Sequence, residues 1–355
     1  MKTLYNEINI IMNNICFNEL WPGFKKYPFA LYNKSNVYFE NEIIPYDTRF
    51  IGNTSIKYND NFIAIWYVEN PRKEDSKVLA SNIIHEMFHA FQCSNGEKRF
   101  PNDLFTLHYP SNLQNYQLKY YENTLISNCL KEQRLDKKEE LLQNFFSVRN
   151  KRESLIGTAI TCEYLTETIE GLAEYIGTKA LKRISPTLYE QRIDSYIKKI
   201  TNLRKSFFDI RKSSYYVGTL FFLALDSMNI SFYEDLSTSS NSIYEELKEK
   251  LYNNSFDYPF DLNYEVETAF YEYDKWKGKR LSDFCNNNLN ENIGNFKIVG
   301  YDPMNMLKIG DYILCNHFIK LSLVNSDSTI FINEPVLLKL KTNSIKEIIS
   351  YYTLK

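Results

Sequence analysis

Apolar and polar positions divide the chain into three stretches. From residue 1 to about 70, short alternating runs between turn residues predict strands at Asn36 to Glu40, Ser55 to Asn59 and Asn61 to Glu69. From Pro71 the period lengthens. Ser76 to Cys93, SKVLASNIIHEMFHAFQC, holds no Gly or Pro and is followed by Asn95-Gly96 as a stop signal, so it predicts a helix. On its wheel Ala80, Ile83, Met87, Ala90 and Phe91 fall on one side and Asn82, His85, Glu86 and His89 on the other. Past a loop-like segment with Pro101 and Pro110, helical patterning resumes near Gln114, breaks at the polar Arg134 to Asp136, and runs on toward Ile184, where Ser185-Pro186 ends it. Further helices are expected at about 187 to 210, 214 to 228 and 241 to 252. From about Asn292 the runs FKIVGY, DYILCNHFIKLSL, TIFI and PVLLKLK read as strands again. The expected class is α+β, with a mainly helical domain over 1–285 that carries a small N-terminal sheet, and a small β-rich unit over 286–355.

The bulk properties narrow the partners. Hydrophobic residues make up 44% and charged residues 24% of the 355, a globular balance. A net charge of −2 gives no general electrostatic attraction to nucleic acid or to an anionic membrane, so neither is expected as a partner. The apolar run near the start is interrupted by Asn6, Glu7, Asn9, Asn13 and Asn14, unlike a secretory signal, and no window approaches the roughly 18 apolar residues of a membrane span. Cys16, Cys93, Cys129, Cys162, Cys285 and Cys315 lie far apart without CxxC spacing and are expected as reduced, mostly buried thiols. These features point to the cytoplasm.

The chemistry concentrates in His85-Glu86-Met87-Phe88-His89, an HExxH motif inside the helical segment. Histidines at i and i+4 stand one above the other on a helix, so both imidazoles can reach one metal ion. The glutamate between them is placed to take a proton from a water on that metal. Catalytic zinc usually takes a third protein ligand and keeps one position open. Only His108 and His317 remain as further histidines, and neither has the spacing of an extended three-histidine motif, so a carboxylate is the better third donor.

TCEYLTETIEGLAEYIG supplies carboxylates at i, i+4, i+7 and i+11: Glu163, Glu167, Glu170 and Glu174. Like charges at these spacings cost a few tenths of a kcal/mol per pair. No Lys or Arg lies between Glu153 and Thr178 to offset them locally, whereas a dication facing the stripe would. Leu165, Ile169, Leu172 and Ile176 cover the opposite side, so the helix is amphipathic. Gly171 costs roughly 1 kcal/mol relative to alanine inside a helix, which predicts a close approach of another backbone, with the His85 helix as the expected partner.

HEMFH followed downstream by EGLAEY resembles the gluzincin zinc peptidases, a zincin-like fold in which a glutamate from a second helix completes the histidine site. The resemblance covers roughly residues 61 to 228. It implies a single zinc ion per chain held by His85, His89 and Glu170, Glu86 as the catalytic base, and Glu174 supporting a ligand histidine. Glu167, one turn earlier on the stripe, stands beside this set. A tyrosine on a following helix commonly stabilises the oxyanion in such enzymes, which makes Tyr215 and Tyr216 the candidates, and the strand from Asn61 would form the cleft edge. The departure from compact members is a spacer of 80 residues between His89 and Glu170, read as a helical insertion over about 97–160 that covers the cleft.

The implied activity is hydrolysis of peptide bonds in a peptide or protein by a metal-activated water, with Glu86 as general base. The same water would attack a non-peptide amide or ester. A metal-stabilised binding protein could keep the ligands too, but would have no need of Glu86.

Overall fold

The computed structural model describes residues 1–40, 42–233, 239–253, 263–324 and 328–355. Helix α1 (Lys2–Asn13) precedes the strands β1 (Phe29–Tyr32), β2 (Asn36–Phe39), β3 (Glu42–Pro45), β4 (Thr54–Tyr58) and β5 (Asn61–Tyr67), which form one sheet in the order β3-β2-β1-β5-β4. β5 runs parallel to β1 and antiparallel to β4, so it is interior and β4 is the edge beside it. This corrects the placement of the Asn61 strand at the cleft edge. Its centre, Ile63-Ala64-Ile65, is buried at every position, as a strand covered on both faces requires, whereas β4 has no fully buried residue.

Helix α2 (Ser76–Ser94) follows. Asp75 caps its start by accepting from the backbone N–H groups of Lys77 at 2.8 Å and Val78 at 3.0 Å. Gly96, with φ +77°, takes the left-handed backbone just beyond its end. Next come α3 (Asp103–Thr106), α4 (Leu113–Lys131), α5 (Leu135–Ile156), α6 (Thr161–Thr166), a π-helical turn over Glu167–Gly171, α7 (Leu172–Ile184), α8 (Pro186–Thr201), α9 (Lys205–Phe208), α10 (Ile210–Ser227), α11 (Ile243–Leu251) and α12 (Tyr264–Cys285). The main core lies among α1, α2, α5, α7, α8 and α10, with Ile8, Ile84, Phe88, Phe145, Leu172, Ile176 and Leu220 essentially inaccessible. No helix among the described residues is long and apolar enough to cross a membrane.

The last stretch builds a second sheet from β6 (Leu289–Tyr301), β7 (Met306–Ile309), β8 (Tyr312–Cys315), β9 (Ile319–Leu323), β10 (Thr329–Ile332), β11 (Val336–Leu340) and β12 (Glu347–Leu354), in the order β10-β9-β6-β12-β11-β8-β7. Register shifts in β6 against β9, and in β12 against β6, bend this sheet. One face gathers Phe296, Ile313, Ile319, Leu321, Val336 and Leu338 into a core that also takes Leu104 of α3. The other face packs Leu314 and Leu337 on Phe284 of α12. The molecule is therefore α+β with an N-terminal and a C-terminal sheet, and α3 is shared between the helices and the second sheet.

The six cysteines are unpaired thiols, but burial is uneven: Cys16 and Cys285 are exposed, Cys93 is half-buried, and Cys129, Cys162 and Cys315 are buried.

Glycines set the approach of helices around α7. A Cβ on Gly171 would lie 2.8 Å from the Cα of Gly218, so the close neighbour of Gly171 is α10 and not the His85 helix. It is Gly177 that meets α2: a Cβ there would fall 2.7 Å from the backbone oxygen of Ser81 and 3.3 Å from the Cβ of His85. A backbone oxygen inside a helix cannot turn away, so α2 and α7 would have to separate. Gly177→Ala is expected to cost about 1–3 kcal/mol, a typical overpacking penalty, and to push His85 away from α7. Thermal unfolding checks the cost, and an unchanged unfolding midpoint would refute the contact.

Candidate metal centre

α2 and the segment from Glu167 to α7 bring His85, His89 and Glu170 together, with one donor atom of each lying within 4.8 Å of the others. The two Nε2 atoms are 3.0 Å apart, and Glu170 Oε2 lies 3.0 Å from His89 Nε2 and 3.7 Å from His85 Nε2. The outer ring nitrogens set the tautomers. His85 Nδ1 donates to Glu174 Oε2 at 2.8 Å, and His89 Nδ1 donates to Gln92 Oε1 at 2.7 Å. Gln92 is oriented in turn by its own amide, which donates to the carbonyl of Ile169 at 3.2 Å. With both Nδ1 atoms protonated, each neutral ring presents only a lone pair at Nε2.

Two lone pairs and a carboxylate oxygen thus point into one space, which is repulsive unless something positive lies between them. Tetrahedral zinc with bonds near 2.0–2.1 Å separates its ligands by about 3.3 Å, and the three observed separations bracket that figure. The donor set fits the ion. Without a metal the positive charge is a proton: burial works to keep His85 neutral, yet hydrogen bonds with Glu170 and Glu174 and the charge of Glu86 raise its pKa to about 10, so the cluster stabilises a cation where a metal would sit. Glu170 is held well below the ordinary carboxyl range against burial, mainly by His89 and His85, and Glu174 is lowered to about 2, also against burial, mainly by His85.

Glu86 is buried beside the pair at 8% exposure. Burial raises its pKa, and the charges of His85 and His89 pull it back. Tyr215 faces the cluster with its ring parallel to that of His85, at an interplanar angle of 8° and 6.3 Å between centroids. Tyr216 turns toward α8 instead, where it packs on Tyr196 and accepts from Lys199 Nζ at 3.1 Å.

The carboxylate stripe does not act as one face. The wider i→i+5 turn at Glu167–Gly171 shifts its phase, so that Glu170 and Glu174 face the histidines while Glu163 and Glu167 turn to the α4–α5 hairpin. There three cations from the spacer neutralise them. Arg149 reaches Glu167 at 2.6 Å and Glu122 at 2.5 Å, Arg152 reaches Glu122 at 2.6 Å and also Glu163, and Lys119 binds Glu163. All six side chains are sealed from solvent at 0–1% exposure. The offsetting charge expected of a dication is thus supplied, for this half of the stripe, by residues distant in sequence. Glu167 is committed to Arg149 and stands outside the donor cluster, and the hairpin packs against the Glu163 and Glu167 side of this segment.

Other groups complete the surroundings. Tyr196 of α8 donates to Glu174 Oε1, and Arg192 lies 3.7 Å from the same oxygen while donating to Asn82 Oδ1 at 2.9 Å. Arg211 of α10 donates to Glu170 Oε1 at 3.2 Å. Gln92 and Arg211 were not anticipated from sequence, where their only signal is helical spacing from His89 and Tyr215. Tyr196 and Arg192 carry no such signal, because α8 reaches the centre through tertiary packing. His108 and His317 lie apart from it: His108 lines a cavity of about 460 Å³ beside the second sheet, and His317 pairs with Asp302 at 2.7 Å. That cavity reaches toward the centre through Asp103 and Arg211. No protein-family model, curated protein or solved structure matches this chain.

Proposed function

We propose that this chain is a zinc-dependent peptidase of the gluzincin type, with a zincin-like arrangement in which His85, His89 and Glu170 hold one zinc ion. The convergence of three acceptor atoms, each with its outer side fixed, is the observation that carries this function. A dication would take the place of the proton that otherwise offsets the repulsion among these acceptors. The sheet strand β5 leading into α2, and the glutamate arriving on a second helix, support the same fold type.

When bound, zinc lowers the pKa of water and polarises a carbonyl group. The residues do the rest. Glu174 keeps the His85 ring in the tautomer that leaves Nε2 bare, and Gln92 does this for His89. Glu86 accepts the proton of the attacking water and returns it to the leaving amine, a role that its partly desolvated carboxylate suits. Tyr215, whose ring lies parallel to that of His85, would donate to the developing oxyanion, and Tyr216 packs on Tyr196, which holds Glu174. Hydrolysis is favoured over a binding role because the Glu86 side chain makes no hydrogen bond to the fold among the described residues.

Purified protein should contain about one zinc per chain and cleave members of a mixed peptide library, with activity lost on chelation and restored by zinc. Glu170→Ala should lose most of its metal, while Glu167→Ala should keep it and lose stability instead. Metal analysis of the two variants discriminates the carboxylates, and a chain that takes up no transition metal would end the proposal.

A further inference from the structure

Arg211 sits where three regions meet. Its Nε donates to Asp103 Oδ1 at 2.6 Å, Nη1 to the hydroxyl of Tyr215 at 2.5 Å and to Met304 Sδ at 3.2 Å, and Nη2 to Glu170 Oε1 at 3.2 Å. The guanidinium is a planar fork, and each of its three nitrogens has its own acceptor. Asp103 lies on α3, whose neighbouring Leu104 is buried in the core of the C-terminal sheet, and Met304 lies in the turn leading to β7. Lys212 adds a second link to that turn by donating to the Met304 carbonyl at 3.1 Å.

We propose that Arg211 is the positioning residue of the metal centre, which occupies Glu170 Oε1 so that only Oε2 faces the two imidazoles, and that the C-terminal sheet braces it through Asp103 and Met304. This rests on the zinc reading above. A carboxylate free to turn can offer both oxygens to a metal and fill the position a catalytic zinc keeps open for water. With Oε1 engaged by Nη2, Glu170 is a one-oxygen donor. Charge alone does not explain the arrangement, since Asp103 at 2.6 Å balances the guanidinium. Geometry does: the same fork that turns Glu170 also holds the Tyr215 hydroxyl, fixing its ring beside His85. The C-terminal sheet thereby becomes part of the active centre's support.

Close packing explains why α10 can do this. Gly218 and Gly171 let α10 approach the Glu167–Gly171 turn closely. Tyr215 and Arg211 lie one and two turns before Gly218, so they arrive on the same face, level with Glu170.

Arg211→Lys keeps the charge but offers a single nitrogen that cannot serve Asp103, Tyr215 and Glu170 together. The test compares it with wild type after loading with cobalt(II), following the visible absorption bands and the release of metal to a chromophoric chelator, with circular dichroism and thermal unfolding as the control for folding. Arg211→Lys is expected to show weaker bands, as coordination rises above four, and to release metal roughly 10–100 times faster, the usual penalty for a lost outer-shell partner. Asp103→Asn, which leaves the fork but loosens it, is expected to move both readings the same way by a smaller factor, and it decides the matter if the lysine variant does not fold. Wild type that takes up no cobalt overturns the zinc reading together with this role. Normal uptake by wild type, with spectra and release rates unchanged in the variants, overturns the role of Arg211 alone.

Discussion

Glu86→Gln is expected to keep its zinc and to lose about 10²- to 10⁴-fold in turnover on a peptide library, the usual contribution of a positioned general base. The substitution is nearly isosteric and leaves untouched both histidines, Glu170 and the hydrogen bonds of Glu174 and Gln92 that orient the rings. What it removes is proton affinity. Burial raises the Glu86 carboxyl above its ordinary value, bringing it closer to the working pH, where a base both accepts and returns a proton efficiently. An amide cannot accept that proton at all. Metal content by elemental analysis and single-turnover hydrolysis separate the outcomes. Loss of zinc along with activity would make Glu86 a structural support of the site, and undiminished turnover would remove it from the chemistry. A wild-type chain that binds zinc but cleaves nothing would instead favour a binding role for the same centre.

The parts of this site legible in the sequence are those encoded locally. HExxH on a helix needs only the i, i+4 rule, and α2 delivers both imidazoles to one space as that rule predicts. The carboxylate stripe was visible too, but its division was not. A π turn leaves no mark in hydrophobic periodicity, so four glutamates that line up on an ideal α-helix fall into two pairs with different neighbours. The apparent lack of cations was true of the segment and false of the fold, because Lys119, Arg149 and Arg152 come from the spacer. Gly171 correctly signalled a close backbone, yet sequence carries no information on which helix supplies it.

Among the elements, α12, α1 and β12 escaped the sequence pattern, each for its own reason. α12 buries only Val266 and Phe284 over its length, too few positions to leave a period. α1 buries Leu4, Tyr5, Ile8 and Met12 at helical spacing, but the intervening asparagines read first as breaks. β12 lies beyond the last predicted strand and pairs with β6 and β11 in the middle of the second sheet, a nonlocal arrangement that alternation alone does not reveal.

Arg149→Met should be the most destabilising single change away from the metal. Arg149 binds Glu122 and Glu167 together, and its guanidinium lies 4.5 Å from the ring centre of Phe145 and 4.7 Å from that of Tyr244. Methionine can fill much of that apolar slot, so lost packing is the minor effect. The major one is two carboxylates left in a sealed interior, and removing one partner of a buried pair costs about 3–5 kcal/mol. For a chain of 355 residues that corresponds to a fall in unfolding temperature of about 4–7 °C. Acid gives an independent view of the same network. Against burial, Arg149 and Arg152 hold Glu122 below its ordinary carboxyl value, and Arg152 and Lys119 do so for Glu163. Their stabilisation is therefore complete above about pH 4.5 and is lost as the pH falls through the lowered folded-state values. Thermal unfolding from pH 7 down to pH 3 should show wild type losing stability steeply over the acid range. The variant should lose less, since its unpaired carboxyls are already driven toward neutrality. Adding Glu122→Gln and Glu167→Gln to Arg149→Met removes the stranded charges and should recover a large part of the stability. Equal unfolding curves for wild type and Arg149→Met would mean that the six buried charges hold nothing in place.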